Sequence, residues 1–156
     1  MDLYMALKYV HVISSTIIFG TGLGTAFQMW MAHRRGDVRA IAVVARNVVR
    51  ADWIFTTPAV IVQPLSGAAM MHLAGFQASD GWLALSLGLY VLTGACWLPV
   101  VWLQVRAAKL AEQAAAAGQP LPPAYHRILR LWFLLGWPAF IAVLVIFWLM
   151  LTKPMV

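Results

Sequence analysis

The chain is poor in the groups on which soluble catalysis depends. Cys96 is its only cysteine, so no intrachain disulfide and no CxxC pair can form, and the redox compartment cannot be read from it. Only five of its residues are acidic, and no two of them share an apolar segment, which removes the paired carboxylates of general acid–base hydrolysis. G-x-S-x-G and phosphate-binding glycine loops are missing, and GTGLG at 20–24 follows no strand, so it is not a dinucleotide fingerprint. Lys and Arg are absent between Trp53 and Val105 and between Leu131 and Thr152. Charged residues make up 10% of the chain.

Apolar side chains fill the space thus left. They make up 63% of the 156 residues, with a mean hydropathy of +0.81, more than a water-soluble domain of this length can bury. Four apolar segments, about 4–32, 53–76, 82–105 and 128–151, each reach the roughly 20 residues needed to span a bilayer. Without water to satisfy the backbone, each must be helical. The expected fold is an all-α, integral membrane four-helix bundle in a single domain, 1–156. The first apolar run is too long for a cleaved signal and lacks a basic leader, so it is expected to be retained.

The net charge of +6 would suggest nucleic acid in a soluble protein. Here nine of the eleven bases fall in the first and third connections, which makes topology the better explanation and nucleic acid no partner. Those connections are expected in the cytoplasm of a bacterial inner membrane, with both termini on the outer, periplasmic side. In the first connection Arg39, Arg46 and Arg50 share a narrow arc of a helix over 38–50, with Ile41, Val43, Val44, Val48 and Val49 on its other faces and Asp37 as its cap. This basic amphipathic helix either lies at the inner interface on anionic lipid or extends the second spanning helix. Asp52 is read as a cap or charge balance at the entry of that second helix. Pro58 and Pro64 are expected to kink it, with Gln63 serving the kink or bonding another helix.

An imidazole inside a membrane helix needs a partner. His11 is the one ionisable side chain between Tyr9 and Ala32. It lies 23 residues from Arg34, about 34 Å along a helix, while His72 lies 20 residues from Asp52, about 30 Å, so the two are expected at similar height in the outer leaflet. Two such imidazoles on separate helices can hold a haem iron, and Gly20, Gly22 and Gly24 would leave room for the edge of a ring. His11 can equally be satisfied by a hydroxyl or carbonyl, either on a neighbouring helix or nearby on its own, where Ser14 and Ser15 are available. His33 and His126 form a second pair, on the inner side beside arginines, suited to the interface or to an anionic group. Met70 and Met71 next to His72 have the softness copper favours, although adjacent residues on a helix point apart.

Two resemblances add to this. KYVHVISSTIIFG and GDVRAIAVVARNVVRADWIFTTPAVIVQPLSG look like a bacterial family of small predicted integral membrane proteins of unknown function, with RADW and the following Pro58 as the most specific part. More distantly, Lys8 and His11 resemble the K-x-x-H opening of HemJ-type protoporphyrinogen oxidases and CopD-type membrane domains, and His33 matches the histidine that closes the same helix in the HemJ group. That likeness implies a haem-binding bundle with the first histidine as ligand. The expected function is a membrane protein binding b-type haem through His11 and His72, with a redox role, exchanging electrons with a quinone or a membrane protein partner. The alternatives are an accessory subunit of a larger membrane complex and a copper-handling protein. Self-association is a further expectation.

Overall fold

The computed structural model describes residues 2–154. Its elements are α1 (Leu3–Arg35), α2 (Val38–Ala51), a π-turn (Asp52–Thr56), α3 (Thr57–Ala74), α4 (Gly81–Ala117) and α5 (Pro123–Thr152), with no strand among the described residues. α2, the π-turn and α3 run on as one helix, Val38–Ala74, so four helices are long and apolar enough to cross a membrane. Their outward faces carry exposed apolar residues such as Leu65, Val91, Leu98 and Leu151, as lipid-facing helices require.

Breaks come where the backbone chemistry demands them. Gly36 ends α1 with φ 71°, a left-handed conformation that side chains resist, and returns its N–H to the His33 carbonyl. Asp37 then starts α2 by accepting from the N–H groups of Arg39 (2.9 Å) and Ala40 (3.3 Å). Nothing in 38–57 stops the helix, so the amphipathic segment takes the second of its two expected positions, as an extension of the second spanning helix. Ile41, Ala42, Ala45 and Val48 face inward, while Arg39, Arg46 and Arg50 face out. Asp52 is consequently no cap: it sits fifteen residues into a continuous helix and is buried.

α4, at 37 residues, is about 55 Å long and outruns a hydrocarbon core of about 30 Å. Its alanine-rich tail packs against α2, with Ala107, Ala108 and Ala111 buried in one cluster with Ala42, Ala45 and Met29. Small residues let these backbones approach closely. Arg46 Nε and Glu112 Oε1 close the outer edge of that contact at 2.6 Å. The compact part of the bundle is therefore the end that holds the α1–α2 and α4–α5 connections. Toward the other end α1 packs chiefly on α3, and α4 on α5.

Candidate functional site

The expected ligand His11 is half-buried against α3. Ser66 Oγ gives its proton to the carbonyls of Val62 (2.8 Å) and Gln63 (3.1 Å), which leaves it an acceptor. The His11 Nδ1–H therefore donates to Ser66 Oγ (2.9 Å) and the Gln63 carbonyl (3.1 Å), and its Nε2 accepts from the Gln63 amide (3.0 Å). Ser14 Oγ donates to Gln63 Oε1, completing a cluster in which one amide joins two residues of α1. A side chain at Gly67 would place its Cβ 3.2 Å from the imidazole Cε1, so the ring would have to give by a few tenths of an ångström.

His72 does not meet His11. It lies five residues beyond Gly67, about 140° around the helix from the face that touches α1, and is exposed. Met70 and Met71 beside it are partly buried, and no three His, Cys, Asp or Glu side chains gather among the described residues. Iron on His11 would have to displace the Gln63 amide from Nε2, and Gly67 occupies the space along the ring. The residues around His11 do not fit a haem in this arrangement; they join α1 to α3. The inner pair does come together: the rings of His33 and His126 lie 5.5 Å apart, with Tyr125 stacked 6.2 Å from His33. Arg34 lies over the Trp30 ring at 5.2 Å, as an interfacial belt would place it.

The most developed polar site is elsewhere. Between α1, the π-turn, α4 and α5 lies a cavity of about 340 Å³. Phe19, Phe133, Phe140 and Trp137 form much of its wall, and Gly22 and Gly136, with open space where a side chain would stand, give it depth. At its polar end is Asp52, only 8% exposed. Its Oδ2 accepts from Gln104 Nε2 at 2.5 Å, and Gln104 Oε1 in turn accepts from the Trp132 indole N–H at 3.2 Å. Around the same cavity Thr56 Oγ1 and Trp97 Nε1 are buried without a hydrogen-bond partner among the described residues. Unpartnered buried donors are rare in folded proteins and call for an explanation.

The π-turn lies at this level, with the Thr57 N–H reaching back five residues to the Asp52 carbonyl. Pro58 has no N–H to restore the α-helical register, and such single wide turns recur at functional sites. α1 and α5 touch where Phe19 stacks on Phe140 (5.2 Å) and where the Tyr125 hydroxyl meets Met29 Sδ (3.9 Å). Between these contacts the wall residues Leu23, Phe27 and Trp137 are 48, 58 and 63% exposed, which marks a lateral opening.

From the sequence alone Asp52 reads as a helix end, which hides this site. The available signal was an acid followed directly by Trp53, Ile54 and Phe55, and an amide, Gln104, set between Leu103 and Val105. Trp97 and Trp132 gave no signal of their own among eight tryptophans.

One family model, described as predicted integral membrane protein (DUF2269), matches residues 5–154. No curated protein and no solved structure matches the chain.

Two predictions follow from the His11 cluster. Gln63→Leu removes the partner of both His11 and Ser14 and lowers stability by about 1–2 kcal/mol in a detergent-denaturation titration, whereas Ser15→Ala, whose hydroxyl bonds only its own helix, leaves it unchanged. The chain purified after expression with ample haem shows no Soret absorption; a Soret band that vanishes in His11→Ala would restore the haem.

Proposed function

We propose that this chain, which belongs to the DUF2269 family of predicted integral membrane proteins, is an intramembrane binding protein that takes up a lipophilic molecule from the bilayer into the cavity between α1, α4 and α5. The observation that carries this reading is the convergence on one apolar cavity of a buried carboxylate, Asp52, and two unpartnered donors, Thr56 and Trp97. Binding sites for small molecules have this make-up, mostly apolar walls with a few directed polar groups. An ionisable residue within a membrane segment is otherwise costly enough to be rare.

The lateral opening between the Phe19–Phe140 and Met29–Tyr125 contacts supports entry from lipid rather than from water. The basic residues of the connections support an orientation with the α1–α2 and α4–α5 ends in the cytoplasm, both termini outside, and the protein in a bacterial inner membrane. The cavity then belongs to the inner half of the bilayer, and Arg39 and Arg50 face the anionic surface beside it.

The redox reading, a b-type haem on His11 and His72 serving a quinone, rests on the matched depth of the two imidazoles and on the K-x-x-H opening. The bonds that His11 makes to α3 weigh against it, and His33 and His126 supply no substitute in the cavity.

The test fills the cavity without disturbing the fold. Because nothing lies within 4 Å of a Cβ at Gly22 or Gly136, Gly22→Leu and Gly136→Leu are tolerated and occupy the empty space. Wild-type protein in micelles shows saturable energy transfer from tryptophan to the neutral probe 1-aminoanthracene, and the double variant loses the saturable part with helicity intact. Equal saturable binding by both proteins contradicts the proposal.

A further inference from the structure

We infer that the molecule held in this cavity is a lipophilic cation, a protonated amine attached to an apolar body, with Asp52 as its counter-charge. The inference rests on the reading of the cavity as a binding site and names what that site selects.

An indole N–H can only donate, so Trp132 fixes the Gln104 carbonyl oxygen toward itself and turns the amide nitrogen of Gln104 toward Asp52. The two bonds run in series, Trp132 to Gln104 and Gln104 to Asp52, so both point donor-first toward the carboxylate and reinforce each other. Asp52 Oδ2 is consequently an acceptor, and no hydrogen bond inside the protein engages Oδ1 among the described residues.

The one ion pair among the described residues joins Arg46 to Glu112, so no Lys or Arg neutralises Asp52. Leaving a charge buried without compensation is among the costliest arrangements a protein can hold, and a charge brought by a ligand removes that cost. A hydrophobic amine supplies it.

The walls suit the same ligand. An ammonium group offers donors to Asp52 Oδ1 and to the hydroxyl oxygen of Thr56, which is 4% exposed and has no partner inside the protein. Phe19, Phe140 and Trp137 line the cavity with aromatic and apolar surface for the rest of the molecule, and aromatic rings attract cations most where water is excluded. The Trp97 N–H remains for a hydrogen-bond acceptor on the ligand, such as a hydroxyl or ether oxygen. A neutral carbonyl compound would satisfy Trp97 and Thr56 but leave Asp52 uncompensated, which is why the charged ligand is preferred.

Equilibrium dialysis of the full chain in zwitterionic lipid nanodiscs, corrected by empty nanodiscs, separates the cases with three probes of similar size: 2-naphthylmethylamine, 2-naphthylmethanol and 1,4-naphthoquinone. The amine binds saturably and at least about tenfold more tightly than the alcohol, equivalent to about 1.4 kcal/mol. Asp52→Asn, which keeps an acceptor for Gln104, weakens the amine by at least about tenfold and removes its preference over the alcohol. Saturable binding of the alcohol or the quinone as tight as that of the amine overturns the cation and leaves the cavity reading standing. An amine preference that survives in Asp52→Asn overturns the assignment to this carboxylate. If none of the three binds saturably, both the cation and the binding function fall.

Discussion

A polar group in hydrocarbon must find a partner, and this bundle is arranged around two clusters in which several of its few polar side chains do so. Near one end, the His11 ring, Ser14, Gln63 and Ser66 tie α1 to α3, with each ring nitrogen of His11 used. Nearer the other, Trp132, Gln104 and Asp52 tie α5 to α4 and α4 to the π-turn. Between helices as apolar as lipid itself, hydrophobic burial discriminates little, so such bonds and close packing of small residues set which helices meet. The first cluster is closed upon itself. The second is not, and its open end faces a cavity.

That difference separates structure from function. Where the bundle is compact, alanines of α2 and α4 bring the backbones together. Where α1 and α5 part, two glycines and a wall of aromatic rings leave about 340 Å³ beside a carboxylate. Holding that volume empty forfeits packing contacts, and holding Asp52 in it without a cation forfeits solvation. A binding site whose occupant restores both accounts for the same residues that are otherwise costs.

The fold was legible in the sequence because a bilayer imposes one strong rule: apolar runs of spanning length become helices. Cap and stop residues could also be read locally, as Asp37, Gly36, Gly118 and the prolines after it show. The site was less legible. His11 drew attention as a lone imidazole, and one of the simple partners considered for it, groups on a neighbouring helix, is what it meets. Asp52 was passed over because the π-turn and the continuous helix through it are invisible to apolar counting, which placed the start of the second span at 53. Gln104 and Trp132 become meaningful only through contacts 52 and 28 residues distant in sequence. Facing directions at matched depth, which keep His72 away from His11, are likewise set by helix rotation and not by spacing from the membrane edge.

The account turns on the charge state of one carboxyl group in oil. Infrared difference spectroscopy of wild type against Asp52→Asn, in nanodiscs saturated with the naphthyl amine, reads it directly. The account predicts that the substitution removes an ionised carboxylate stretch. Loss of a protonated carboxylic acid carbonyl band instead would contradict it.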